Sequence, residues 1–86
     1  MVLSAIYVPL PERLPGFPGA ERVRPKTRVV GRRRPRWIDR EGNIYEWDFQ
    51  HGTVERYNRR GEHTGEFDPN TGRRIGEAVA GRRVEP

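Results

Sequence analysis

Residues Asn43-Ile44-Tyr45-Glu46-Trp47-Asp48-Phe49-Gln50-His51-Gly52-Thr53-Val54-Glu55-Arg56-Tyr57 decide the fold. Tyr45, Trp47 and Phe49 alternate with Glu46 and Asp48, the period-two pattern of a strand with one face buried. Gln50-His51-Gly52-Thr53 reads as a turn, and Val54 to Asn58 as the returning strand. A four-residue loop is a common hairpin connection and predicts that Phe49 faces Val54 beside the turn. The same register sets Asp48 opposite Glu55 on the other face, with His51 in the turn close to both acids. One face is then apolar, and the other collects Asp, His and Glu.

Outward from this hairpin the chain continues in the same style. Arg40-Glu41-Gly42-Asn43 turns into the central strand, and Asn58-Arg59-Arg60-Gly61-Glu62 turns out of the second. His63 to Asp68 alternates again, Asp68-Pro69-Asn70-Thr71-Gly72 is a turn, and Arg73 to Val79 is expected to return as a last strand. Upstream, prolines at 9, 11, 15, 18 and 25 forbid a long helix and predict an extended arm draped on the body, which Leu10, Leu14 and Phe17 would anchor. Met1 to Val8 is apolar but too short to span a bilayer, and it lacks the basic start of a secretory signal. The expected class is mainly β (small α+β): an antiparallel sheet of hairpins, one helical turn near the N-terminus, and a Pro-rich arm over residues 1–27 preceding the body, 28–86.

At 86 residues the chain makes one small domain. With 33% apolar residues against 34% charged, its core has to be small and built largely from Trp37, Tyr45, Trp47, Phe49, Tyr57 and Phe67. There is no cysteine, and the two histidines lack a zinc spacing, so neither disulfide nor metal site is expected. Charge is unevenly spread: residues 1–36 hold nine Lys/Arg and two acids (9 − 2 = +7), whereas 37–86 hold eight and ten (8 − 10 = −2). A basic arm on a mildly acidic body suits an anionic partner such as nucleic acid; general surface decoration by arginine is the other reading. The cluster Arg32-Arg33-Arg34-Pro35-Arg36-Trp37 offers phosphate contacts and a stacking surface, or a solvated basic turn with Trp37 in the core. We place Trp37 in the core and assign the arginines to RNA.

Carboxylates repel phosphates, so gathering them on a nucleic-acid-seeking protein weakens binding unless they do chemistry. One reaction fits without a metal: attack of a ribose 2′-hydroxyl on its own phosphate, with a base, an acid and a cation. A Glu, free pKa about 4.3, serves as base, and a His, about 6.5, carries the donated proton. DNA lacks the 2′-hydroxyl, so the mechanism selects RNA. The plainer alternative leaves Asp48 and Glu55 as a polar sheet face and His51 as a turn residue.

Arg34-Pro-Arg-Trp37, Ile44-Tyr-Glu-Trp-Asp48, Gln50-His-Gly52, Glu55, Tyr57 and Gly65-Glu-Phe-Asp-Pro69 with Thr71-Gly72 resemble the cytotoxic ribonuclease domain of ribosome-inactivating colicins and related bacteriocin and contact-dependent toxins. The resemblance is dense from Arg32 to Gly72 and looser outside it; the turn after Asn58 is one residue shorter, and the tail at Ala78-Val-Ala-Gly81 departs more. It implies a highly twisted antiparallel sheet and a metal-independent cut in 16S ribosomal RNA at the decoding (A) site. It implies Glu55 as base, His51 as acid, Asp48 orienting the histidine, and a C-terminal arginine at Arg82, with Arg83 as the neighbouring candidate. Lys26, Arg32, Arg33, Arg34, Arg36, Tyr57, Arg59, Arg60 and Arg83 are the candidate RNA contacts. No cofactor and no membrane are expected. The implied partners are the small ribosomal subunit and an acidic immunity protein, for a toxin, otherwise monomeric, that is secreted or delivered into the target-cell cytoplasm. A non-catalytic ribosome- or RNA-binding module is the alternative; a peptide-binding β-domain would explain the aromatics but not the charge split.

Overall fold

The structure, a computed structural model, describes residues 9–86; the expectations for Met1–Val8 lie outside them. Eight strands follow in order: β1 Glu21–Val23, β2 Arg28–Val29, β3 Arg32–Arg33, β4 Arg36–Ile38, β5 Ile44–Asp48, β6 Thr53–Tyr57, β7 His63–Phe67 and β8 Arg74–Gly76. Six form one antiparallel sheet in the order β1-β4-β5-β6-β7-β8, and β2-β3 is a separate hairpin. No helix occurs among the described residues; the expected helical turn is absent from 9–27, where bends, turns and β1 stand instead. The last strand is shorter than the expected Arg73–Val79, because the chain leaves β7 after Gly76.

Four successive turns share one device. Asp39, Asp48, Asn58 and Asp68 each stand at the start of a turn, where the side-chain Oδ1 accepts two backbone N–H groups from the turn itself. Asx side chains imitate a backbone turn in this way, so the acids and amides between the strands are structural punctuation.

At Asp48 this device corrects the expected register. The N–H groups of Gln50 and His51 reach Asp48 Oδ1 at 2.8 and 3.2 Å, and Gly52 N–H reaches the Asp48 carbonyl at 2.8 Å. The chain therefore leaves the ladder after Asp48, and Gly52 closes the loop with φ 69°, a conformation that glycine adopts without strain. Asp48 faces Thr53, Trp47 faces Val54 and Glu46 faces Glu55, in place of the expected Phe49–Val54 and Asp48–Glu55 pairs. The slip is two residues, so within β5 and β6 the alternation of faces is preserved.

The apolar face carries Trp37, Tyr45, Trp47, Val54 and Phe67, buried beneath Leu14 and Ala20 from the Pro-rich segment, with Phe17 and Phe49 partly buried around them. Glu12 contributes a carbonyl to Trp37 Nε1–H at 3.0 Å, and the Phe17 ring lies 4.6 Å from Tyr45 and 5.7 Å from Phe67. Two expected core residues behave differently. Phe49 has left the strand and lies under the Arg32 guanidinium at 3.4 Å; Tyr57 is buried on the opposite face, beside His63.

Candidate active site

The opposite face begins with three glutamates in a row: Glu46 of β5 faces Glu55 of β6, which faces Glu66 of β7. Like charges directly across a sheet are unfavourable, so each needs compensation. Glu46 is fully buried and takes Arg36 through Oε2, at 2.7 Å from Nη2 and 3.0 Å from Nε, with Thr27 donating to the same oxygen at 2.6 Å. Glu55 takes His63 Nε2 at 2.7 Å and has Arg82 Nη1 at 3.7 Å. Glu66 Oε2 accepts from the Thr53 hydroxyl at 2.6 Å and lies 3.9 Å from His51 Nδ1.

His51 sits at the rim of this face, its side chain 58% exposed, with Nδ1 turned inward to Asp48 Oδ2 at 2.8 Å. That bond, the charge of Asp48, and the weaker pull of Glu66 and Glu55 raise the imidazole above the ordinary histidine value. Burial pushes Asp48 upward, but the His51 ring and the N–H groups of His51 and Gln50 outweigh it and leave the carboxyl below the usual range. Both shifts favour the ionised pair, and Nδ1 being held by Asp48 leaves Nε2 as the ring's other nitrogen on an exposed side chain. Asp48, His51 and Glu66 each offer one donor atom within 4.8 Å of the other two, the closeness of a metal-donor set. At 2.8 Å, however, Nδ1 and Oδ2 share a proton, and Thr53 already occupies Oε2, so we read them as proton-handling groups.

The sequence expected His51 beside both Asp48 and Glu55; the acids within 4 Å of its Nδ1 are Asp48 and Glu66. Glu55 shares the face but binds His63 and Arg82. Between the two C-terminal candidates, Arg82 points at Glu55, while Arg83 turns to Glu62 Oε2 at 3.4 Å and the Arg60 carbonyl at 2.8 Å. Tyr57 lies within this cluster; burial pushes its hydroxyl pKa up, with Arg82 pulling the other way.

The expected RNA contacts divide. Arg36 is 1% and Tyr57 2% exposed, so in this structure both are interior side chains, as is Glu55 at 5%. Arg32 and Arg33 form β3 at the exposed basic hairpin. Lys26 donates to the Pro86 carbonyl at 2.6 Å, Arg59 to the Glu41 carbonyl at 3.2 Å, and Arg60 pairs with Glu62 at 3.4 Å, all at the surface. Arg34 joins the hairpin to β4, its N–H bonded to the Thr27 carbonyl at 2.8 Å.

Sequence reasoning missed Glu66, Thr53 and His63. Glu66 alternates with the core residue Phe67, which puts it on the polar face, but its meeting with His51 depends on a register across three strands. His63 is masked by a bulge: Arg56 faces Gly65 and Tyr57 faces His63, so Thr64 is extra. Strict alternation from Phe67 would send His63 to the core face; the bulge returns it to Glu55. Val79 N–H donates to His63 Nδ1 at 2.9 Å, so the ring proton sits on Nε2 and is donated to Glu55.

Comparison with known proteins adds a second line. The sequence profile of the family described as Cytotoxic matches residues 8–85. Cloacin of Escherichia coli is 43% identical over 75 residues, covering 80% of this chain and 13% of cloacin. Colicin E3 of Escherichia coli is 41% identical over 75 residues, 80% of this chain and 14% of the colicin. Colicin-E6 of Escherichia coli is 39% identical over 71 residues, 78% and 13%. The chain thus spans about one seventh of the length of these relatives.

Proposed function

The chain belongs to the Cytotoxic family, homologous to domains of cloacin, colicin E3 and colicin-E6, and from that premise we propose that it is a toxin endoribonuclease cutting 16S ribosomal RNA at the decoding site. The observation that carries this reading is the His51 imidazole, bonded through Nδ1 to Asp48 at 2.8 Å with its outer edge open to solvent, on a face that also holds Glu55 and Arg82. Glu55 takes the proton of the ribose 2′-hydroxyl as O2′ forms its bond to phosphorus. The bond from phosphorus to O5′ breaks, and His51 delivers its Nε2 proton to that oxygen. The products are a 2′,3′-cyclic phosphate and a free 5′-hydroxyl; Glu55 has gained one proton and His51 lost one, and exchange with water restores both. Arg82 balances the negative charge that builds on the phosphoryl oxygens. No step calls on a divalent ion.

The basic hairpin and the surface residues Lys26, Arg59 and Arg60 supply sequence-independent phosphate contacts. The same positive surface suits a small acidic immunity protein that would compete with RNA for it. Such a domain acts after delivery into a target cell.

The test is incubation of the purified chain with intact ribosomes in the presence of a chelator. A single 3′ fragment of small-subunit RNA is expected, and His51→Ala and Glu55→Ala each lower its rate by at least about two to four orders of magnitude while leaving salt-dependent RNA binding nearly intact. If both variants arrest translation in vitro as fully as the parent, binding rather than cutting accounts for the protein, and the proposed chemistry fails.

A further inference from the structure

Of the three glutamates aligned across β5, β6 and β7, two have partners of their own: Glu46 has Arg36, and Glu55 has His63 and Arg82. Glu66 is different. Among the described residues its one ion-pair partner is His51, and its one side-chain hydrogen bond comes from Thr53. A carboxylate aligned with two others, on a face meant for a polyanion, is a liability without a task.

The geometry gives it one. Glu66 and Thr53 lie on the polar face, on β7 and β6, and the 2.6 Å bond between them holds Oε2 in place. Across β7, Gly76 has no side chain; a Cβ there would meet Glu66 Oε1 at 3.3 Å, so the carboxylate lies in space that β8 leaves free. Oε2 is thereby aimed at the inner edge of the imidazole, the edge that Asp48 also holds. The Glu66 side chain is 24% exposed and that of His51 58%, so the carboxylate is the more enclosed partner, and it meets the ring on its Nδ1 side at 3.9 Å.

We infer that Glu66 is a second anchoring carboxylate for His51, a positioning residue aimed by Thr53 that holds the ring in its proton-donating state and orientation. The role rests on the proposed cleavage, in which His51 must start protonated. The acidic groups acting on the ring are Asp48 from β5, Glu55 from β6 and Glu66 from β7; Arg32 of β3, near this loop, is occupied with Phe49.

Two readouts test this. In the free protein, the NMR titration of the His51 ring in Glu66→Gln should have its midpoint at lower pH than the parent, by about half a unit, the scale of one partly exposed charge pair. In the ribosome-cutting assay the alkaline limb of the pH–rate profile should move the same way, lowering the rate on that limb about threefold while the acid limb stays in place. Thr53→Val, which frees Glu66, should shift both readouts in the same direction by less, and Thr53→Ser, which keeps the hydroxyl, should match the parent. A midpoint and limb that stay at the parent's position in Glu66→Gln and Thr53→Val overturn the inference, as does a rate lowered equally at every pH. A parent that cuts no RNA removes the ribonuclease reading instead, and the titration still decides whether Glu66 holds the ring.

Discussion

Asp48 uses its two oxygens differently: Oδ1 closes the turn through Gln50 and His51 N–H, and Oδ2 takes the imidazole. The stability that this pair contributes has a defined pH window. The folded Asp48 carboxyl lies below its ordinary value, so its contribution is present above the unfolded aspartate pKa of about 3.9 and is lost as pH falls through the folded value. His51 lies above its ordinary value, so its contribution is complete below about 6.5 and disappears as pH rises through the folded value. The melting temperature of Asp48→Asn should therefore fall furthest below the parent's between about pH 4.5 and 6, with the gap narrowing on both sides. Thermal melts of both proteins across pH 3 to 9 check this; a gap independent of pH would show that the charged pair itself adds nothing to stability. The Asp48–His51 contact was legible because three residues across a tight turn meet whatever the strands do. Glu66 and the burial of Arg36 were not, because both follow from which residues face each other across strands, and alternation fixes a face but no partner.

For strands and turns, the sequence located nearly every hairpin, since the Asx residues and glycines that end the strands are local signals. It placed the β5–β6 pairing two residues out because it treated Asp48 purely as a member of the acidic face, when its side chain also closes the loop. The final strand was overextended for a similar reason. Past Gly76 the backbone turns to bind His63, with Val79 N–H on the ring and His63 N–H on the Arg82 carbonyl at 3.0 Å. Gly61 supports this segment: it has φ 83°, Val84 N–H bonds its carbonyl at 2.9 Å, and a Cβ there would strike the Val84 carbonyl. Gly61→Ala should destabilise the fold by about 1–2 kcal/mol for the left-handed backbone alone, before the clash is counted. Cutting should fall further than this loss explains, because Arg82 is displaced from Glu55. Denaturant unfolding beside the cutting rate at a temperature where the variant stays folded separates the two effects.

Taken whole, the molecule is a sheet with two different faces, one sealed by the Pro-rich segment and one carrying paired acids, histidines and arginines with His51 exposed at its rim. The sealing residues were only partly readable: Leu10, Leu14 and Phe17 were all candidate anchors, and the structure buries Leu14 completely, half-buries Phe17 and leaves Leu10 38% exposed. A chain this short has little stability to spare, so Leu14→Ala should destabilise it by about 2–4 kcal/mol, near the full margin of a small domain. Urea titration against the parent measures this, and a loss under about 0.5 kcal/mol would mean that the segment leaves the sheet without consequence. From β4 to β8, neighbours in the sheet are also neighbours along the chain, and only β1 reaches past an inserted hairpin to find its place. Nothing has to be threaded, and between β4 and β8 each pairing closes only a short turn, so the sheet can be laid down one strand at a time, each row templating the next.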